Sequence, residues 1–345
     1  MGQGVRTLNP GYFALTMATG IVSIAMENQH AQALSVALLW LAAVAYAVLL
    51  TLYVWRAVAF RADVVRDLAD PARAFGYFTF VAATDVLGTR LAIDEHHGAA
   101  LVLLAVGSLA WLVLGYVIPW TAVLGNSGRP LVQHANGTWF IWVVASQSIA
   151  VLAAGLEPTV TSGRRELALL AVFSWSVGVF LYGAAGVFVA MRMLLYPLRP
   201  GDLTPPYWVS MGATAITVVA GARIVQMADA PMVDATRGLI AGTSVLFWAF
   251  GTWLVPALIA AGIWRHLVHR IPLRYEAPLW SIVFPLGMYS VGAHYLGLAD
   301  HLPIVAAIGA GESWVALAAW TATFAALLAH LPRSLHRAES VSASC

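Results

Sequence analysis

The sequence contains no lysine, and all 18 of its basic residues are arginine. With 16 acidic residues the formal net charge is only +2, and no basic cluster resembles a binding patch, which excludes nucleic acid as a partner. The single cysteine, Cys345, excludes an intrachain disulfide, and the ending SASC is not a prenylation box. Charged residues make up 10% of the chain, against about 25% in soluble domains, so an ordinary soluble fold is excluded as well.

Hydrophobic residues, in contrast, make up 61% of the chain. Apolar runs long enough to cross about 30 Å of hydrocarbon recur from end to end and predict an all-α polytopic membrane protein. They exclude a β-barrel, whose strands alternate apolar and polar residues. Only Arg6 precedes the first run and no small-residue cleavage site follows it, so we expect this run to remain in the mature protein.

Hydropathy and helix breakers together predict ten transmembrane helices in one membrane domain, followed by a cytoplasmic tail over 332–345. The loops between the helices are short and rich in Pro, Gly, Asp and Asn. The predicted spans are about 10–26, 33–56, 75–92, 99–122, 138–156, 167–195, 207–227, 238–264, 278–298 and 305–331.

Arginine placement predicts the orientation of these spans. If the N-terminus is cytoplasmic, the opposite loops receive only Arg164, Arg165 and Arg237. The positive-inside rule therefore places both termini in the cytoplasm, and we expect a multi-pass protein of the plasma membrane. The arginines on the cytoplasmic side are then Arg6, Arg56, Arg61, Arg66, Arg73, Arg129, Arg192, Arg199, Arg265, Arg270, Arg274, Arg333 and Arg337.

The odd-numbered spans repeat one pattern, in which an aromatic residue precedes a small or hydroxyl residue by six positions. In the ninth span Ser281 and Gly287 keep the spacing, with Trp280 one residue out of step. A repeat of hairpin length predicts five helical hairpins in a quasi-fivefold ring, with the odd spans inside and the more uniformly apolar even spans outside. The other four pairs are Phe13 and Thr19, Phe78 and Thr84, Phe140 and Ser146, and Trp208 and Thr214.

A stripe of small and weakly polar residues runs along each odd span. In the first span the stripe residues follow one another at i, i+3, i+4 and i+7, which a helix brings to one face. Such a stripe serves either close packing of helices or the wall of a pore. Because five helices carry one, we expect a narrow axial pore. The predicted lining residues are Thr16, Thr19, Gly20, Ser23, Thr84, Asp85, Ser146, Gln147, Thr214 and Gly287.

The segment PGYFALTMATGIVSIA, which begins at Pro10, resembles the opening signature of the tellurite-resistance/C4-dicarboxylate transporter family. That family includes bacterial TehA-type proteins, yeast malate and sulfite transporters and the slow-type anion channels of plant guard cells. The resemblance extends to about Leu331. It implies a five-hairpin ring around a central pore, a homotrimer with one pore per protomer, and Gly20 on the pore side.

The resemblance also implies a gate, because a phenylalanine on the ninth span plugs the pore in that family. The matching residue in WSIVFPLGMYS is Phe284. Pro285 follows it and removes a backbone hydrogen bond, so a kink next to the ring could set the position of the gate. An ordinary packed aromatic residue is the alternative.

Charged residues within the spans are the remaining candidates for function. A carboxylate in mid-membrane costs about 2.5–3.5 kcal/mol on insertion scales, so Asp85 either couples proton uptake to anion movement or forms a structural pair with an arginine. Arg90, Arg223 and His294 lie toward the outer ends of their spans. They form a positive vestibule if they face the axis, or they extend toward the membrane interface.

Three functions follow from these residues. The first is transport of small anions through a gated central pore, with C4-dicarboxylates such as malate, or chloride, nitrate, sulfite or tellurite, as substrates. The second is a proton-coupled dicarboxylate symporter that uses Asp85. The third and most distant is an intramembrane enzyme with Asp85 and His294 as acid and base. No nucleotide, cofactor or metal motif is present, and the cluster DEHHG lacks the spacing of a helical zinc site.

Overall fold

The computed structural model describes residues 2–125, 130–228 and 230–342, with side chains as far as Leu331. Arg129 and Cys345 lie outside the described residues, and so do the side chains of Arg333 and Arg337. The fold is helical throughout the described part, in agreement with the all-α prediction. Its α-helices are α1 Gly2–Arg6, α2 Ala14–Asn28, α3 Gln32–Ala59, α4 Arg61–Leu68, α5 Phe78–Ile93, α6 His97–Ile118, α7 Phe140–Leu156, α8 Arg164–Leu195, α9 Val209–Ile224, α10 Pro231–Ile263, α11 Trp280–Ala299 and α12 Pro303–Ser342.

Each of the ten predicted segments overlaps one of ten α-helices of the described chain, which are α2, α3 and α5 to α12. Within the described ranges, seven helical segments are long and apolar enough to cross a membrane. The helices α2, α5 and α9 do not reach that length, since they have 15, 16 and 16 residues. The two short helices α1 and α4 were not predicted from the sequence. They carry Arg6 and Asp63, which form an ion pair of 2.8 Å.

Burial divides the ten long helices into two sets. The inner helices α2, α5, α7, α9 and α11 are buried along most of their length. The outer helices α3, α6, α8, α10 and α12 instead expose large apolar side chains, such as Phe180 and Trp253. A helix that is apolar on its exposed face is expected where lipid replaces water.

The packing order follows the chain. Each inner helix packs against the outer helix that comes next in sequence, which is the contact expected of a helical hairpin. The inner helices also pack against one another in the order α2, α5, α7, α9 and α11, and α11 packs against α2. The last inner helix therefore contacts the first, so the series of contacts among the inner helices closes on itself.

Three hydroxyl residues of the sequence repeat make the same kind of contact. The Nε1 of Trp320 on α12 donates to Thr19 on α2 at 3.0 Å, and the hydroxyls of Tyr46 on α3 and Thr84 on α5 are 2.8 Å apart. The Nε1 of Trp111 on α6 donates to Ser146 on α7 at 2.9 Å. Each hydroxyl thus binds an aromatic residue on the outer helix of the neighbouring hairpin, so the repeat has a structural basis at these positions.

Candidate functional site

A narrow cavity of about 10 Å³ lies among the five inner helices, and we call it the narrow segment. Every inner helix contributes to its wall, which is mainly apolar. Thr89, Ser148 and Arg223 are its polar members. The apolar members are Ile21, Ile24, Val86, Val151, Ile216, Val219, Met288 and Val291. A wall of this kind offers few groups that could retain an ion.

The C-terminal ends of the inner helices α5, α7, α9 and α11 surround a second cavity, of about 460 Å³, which we call the C-end cavity. Thr89 and Arg223 line both this cavity and the narrow segment, so the two spaces adjoin. The acidic residue in its lining is Glu157, which forms an ion pair of 2.7 Å with Arg164.

The segments that precede the inner helices surround a third cavity, of about 410 Å³, which we call the N-end cavity. Its lining comes mainly from residues 9–11, 72–76, 133–141, 201–207 and 276–281. Two arginines line it, and both have acidic partners: Arg73 pairs with Asp67 at 2.8 Å and Arg192 with Asp202 at 3.3 Å.

Phe284 lies between the N-end cavity and the narrow segment. Ser281 lines the former and Met288 the latter, and both are about one helical turn from Phe284 on α11. Because positions i, i+4 and i+7 share a helix face, Phe284 lies on the same face as Met288 and Val291. Its side chain is fully buried. Phe284 thus follows the residue of α11 that lines the N-end cavity and precedes those that line the narrow segment.

Two glycines of the predicted lining allow the inner helices to approach closely beside the narrow segment. A Cβ on Gly20 would lie 2.8 Å from Cγ1 of Val86, and a Cβ on Gly287 would lie 2.9 Å from Cγ2 of Ile21. Val86 and Ile21 are both members of the wall. A side chain at either glycine would therefore press on a residue of this wall.

Other predicted lining residues contact outer helices. The amide of Gln147 donates to the carbonyl of Trp175 on α8 at 3.1 Å, and Thr214 lies against Gly251 on α10. Thr19, Thr84 and Ser146 bind outer-helix aromatics, as described above. The hydroxyl of Thr16 is buried without a hydrogen-bond partner in the described part of the chain.

Ser23 and Arg90 belong to one buried polar cluster between α2, α3 and α5. Ser23 and Ser35 each donate to the other's carbonyl, at 2.7 and 2.8 Å. The guanidinium of Arg90, fully buried, binds both hydroxyls and pairs with Glu27 at 3.1 Å and Asp94 at 2.5 Å. Arg90 is therefore neutralised by two carboxylates, and it is not in the lining of the three cavities.

Asp85 is fully buried between α5, α6 and α7, behind the wall of the narrow segment. Its Oδ2 accepts a hydrogen bond of 2.8 Å from Ser148, and Gly107 of α6 lies directly against its carboxyl group. Its Oδ1 has no hydrogen-bond partner, and no arginine pairs with it, among the residues described. Ser148 itself lines the narrow segment, so one side chain separates Asp85 from it.

Arg223 and His294 differ in their positions. Arg223 lines the C-end cavity, and its Nη2 donates to the hydroxyl of Tyr295 at 2.8 Å. His294 packs its ring edge-on against Tyr295, at 5.4 Å between ring centroids, and is not in the lining of the three cavities. Of the predicted vestibule residues, the structure places Arg223 on a cavity.

Sequence reasoning missed most of the wall. Apolar residues such as Ile21, Val86 and Ile216 look like ordinary core residues when only the sequence is known. One signal was available on α11, because Phe284 predicts through its helical period that Met288 and Val291 share its face.

Comparison with known proteins gives one family. The sequence model of the family described as "Voltage-dependent anion channel" matches residues 7–328. Two Mycobacterium tuberculosis proteins, each named an uncharacterized membrane protein, are 69% identical over 159 residues, which are 46% of this chain and 81% of theirs. An uncharacterized transporter of Methanocaldococcus jannaschii is 25% identical over 328 residues and covers 92% of both chains.

Proposed function

The chain belongs to the voltage-dependent anion channel family, a family of anion transporters and channels, and on that premise we propose that it is a gated pore for small anions. This membership confirms the family resemblance of its opening segment. The observation that carries the proposal is the narrow segment, because all five inner helices line it and a wide cavity lies at each of its ends.

The proposed pathway runs from the N-end cavity past Phe284, through the narrow segment, to the C-end cavity. Phe284 is the proposed gate, since its ring lies where the cavities are interrupted. The substrates that we propose are chloride, nitrate, sulfite, tellurite and C4-dicarboxylates such as malate. The mainly apolar wall favours rapid passage over tight capture of any of them.

The proposal includes an architecture and an orientation. We propose that the ten long helices act as five hairpins in a ring, on the basis of the closed contacts among the inner helices. The arginine-rich N-end side faces the cytoplasm, with both termini, in the plasma membrane. Assembly as a homotrimer is proposed from the family resemblance, and the exposed apolar faces of the outer helices offer surface for it.

The function is tested by anion release from liposomes. We expect liposomes that contain the purified protein and potassium chloride to release chloride when valinomycin makes the membrane permeable to potassium, and to release little without valinomycin. A chloride electrode measures the release, and planar bilayers then compare chloride with malate. Release no faster than from protein-free liposomes by both the wild type and Phe284→Ala, with monodisperse protein, would contradict an anion pore.

A second function, proton-coupled dicarboxylate symport, has one observation in its favour. Burial of a charged carboxylate without a cation is costly, and Asp85 is fully buried without one in the described chain. Ser148 bridges it to the narrow segment. We propose that Asp85 binds a proton there if the protein is a symporter.

Replacement of Asp85 by asparagine separates these two functions. In a symporter, Asp85→Asn is expected to reduce proton-driven malate uptake at least about tenfold, because the amide has a similar shape and cannot exchange the proton. In a pore, the same variant leaves the chloride conductance within about twofold of the wild-type value, since Asp85 lies behind the wall of the narrow segment. Uptake of labelled malate with and without a pH gradient measures the first effect, and Asp63→Asn, outside the long helices, is the control.

The intramembrane enzyme is not favoured by any observation. Asp85 and His294 lie on different helices, and neither lines one of the three cavities. The family is one of transporters and channels.

A further inference from the structure

We propose that Arg223 forms a binding site for one oxyanion at the C-end of the narrow segment and selects oxyanions over halides. The ligand class is an anion that presents two oxygens at once, such as nitrate or a carboxylate. This inference rests on the proposed function, because it concerns the same pathway.

The position of Arg223 is the first argument. It lines both the C-end cavity and the narrow segment, and Thr89 is the other residue that does so. Toward the narrow segment, Val219 and Ile216 follow on the same helix and belong to the apolar wall. An anion that enters from the C-end cavity therefore meets Arg223 immediately before it must lose its water.

Charge is the second argument. Of the arginines that line the two wide cavities, Arg73 and Arg192 have acidic partners, whereas Arg223 has none among the residues that the structure describes. Glu157, in the same cavity as Arg223, is paired with Arg164. The guanidinium of Arg223 thus keeps its positive charge available for a mobile anion.

The free donors of Arg223 are the third argument. A guanidinium carries five N–H groups in a planar fork. One is used by the hydroxyl of Tyr295, and the Nε is buried with no hydrogen-bond partner in the described chain. An oxyanion can accept two parallel hydrogen bonds from such a fork on two oxygens, whereas chloride presents one spherical acceptor atom that does not match the fork. The unused donors therefore favour an oxyanion.

Two neighbours hold the guanidinium in place. The ring of Tyr295 lies 4.5 Å from the Cζ of Arg223, a distance typical of cation–π contact. A Cβ on Gly155 would lie 2.7 Å from Nη1, so the absence of a side chain at this position gives the fork room. The site is thus fixed before an anion arrives.

The other polar groups of the narrow segment are already engaged. Thr89 donates to the carbonyl of Asp85 at 2.8 Å, and Ser148 donates to the carboxyl group of the same residue. Neither hydroxyl proton is free for the anion in this arrangement. Arg223 is consequently the strong donor on this part of the pathway.

The test compares Arg223→Lys with wild type, because lysine keeps the charge and loses the planar fork. Half-saturating concentrations for nitrate and chloride are measured from liposome flux, with the anion added on the C-end side. We expect Arg223→Lys to raise the half-saturating concentration for nitrate about tenfold, since one charge-assisted hydrogen bond is lost. The half-saturating concentration for chloride should stay within about twofold of the wild-type value. Arg66→Lys is the matched control and changes neither, because Arg66 is exposed on α4 and is not in the lining of the three cavities.

Equal effects of Arg223→Lys on both anions, or no effect on either, would overturn the oxyanion site and leave the anion pore standing. Binding is measured separately as the rise in melting temperature that nitrate causes in detergent. The proposal expects a rise in wild type that is larger with nitrate than with chloride and that is lost in Arg223→Lys. Because this measurement needs no flux, it tests the oxyanion site even if the proposed function fails. An equal rise in melting temperature in wild type and Arg223→Lys would overturn the site.

Discussion

Truncation of Phe284 to alanine is expected to raise the anion conductance of the reconstituted protein at least about tenfold. The ring is fully buried at the level between the N-end cavity and the narrow segment. If the ring is the gate that we propose, its removal joins these two spaces, and a barrier lowered by only about 1.4 kcal/mol gives a tenfold change in rate. Currents in planar bilayers with symmetric chloride, per unit of inserted protein, measure the effect.

The control is a second phenylalanine from an inner helix. Phe140 is also buried, but its ring packs on Tyr182 of the outer helix α8, with 5.2 Å between centroids. Phe140→Ala removes the same type of buried ring away from the narrow segment. This variant should keep a conductance near the wild-type value. Equal increases in both variants would mean that loosened packing, rather than removal of a gate, opens the pathway.

Replacement of Arg90 by methionine is expected to destabilise the protein by about 3 kcal/mol or more, because the loss of one partner of a buried pair leaves the other charges uncompensated. Glu27 and Asp94 would lose their cation, and Ser23 and Ser35 would lose a donor. The melting temperature in detergent measures the change. Methionine keeps a long apolar chain, so most of the packing volume is retained.

Arg66→Met provides the comparison. Arg66 also pairs with a carboxylate, Asp63, but its side chain is 72% exposed, and Asp63 keeps a second partner in Arg6. Exposed pairs contribute about 0–1 kcal/mol, so this variant should melt close to wild type. If Arg90→Met melts no lower than Arg66→Met, the buried cluster does not hold α2, α3 and α5 together.

Much of the helical framework could be predicted from the sequence. Long apolar runs fix where helices form, because backbone groups in lipid must bond within their own segment. The short helices α1 and α4 could not be predicted in this way, since they are polar or too brief to give a hydropathy signal. The division into inner and outer helices followed from the polar stripes and from the repeat.

The direction in which each stripe faces could not be predicted. Helical periodicity shows that Thr19, Gly20 and Ser23 share one side of α2, but it does not show which neighbour that side contacts. In lipid, hydroxyl and amide groups form hydrogen bonds between helices, because the hydrophobic effect does not favour association of apolar helices there. This explains why Thr19 binds Trp320 and why Thr84 binds Tyr46.

Partners that are distant in the chain also escape sequence reasoning. The pairing of Arg90 with Asp94 at i, i+4 is readable from helical spacing. The approach of Glu27 and Ser35 to the same guanidinium depends on how α2 and α3 meet α5. The position of Arg223 beside Tyr295 likewise depends on the packing of α9 against α11.

On the inner helices, the apolar residues that line the narrow segment differ from the polar residues that bind the outer helices. This separation has a consequence for evolution. Substitutions at wall residues such as Ile21, Val86 or Met288 change the narrow segment without breaking the hydrogen bonds that join inner to outer helices. In the pore that we propose, selection can therefore change which anions pass while the packing of the helices is conserved. Related proteins can then differ in substrate by single substitutions, with no loss of the fold on the way.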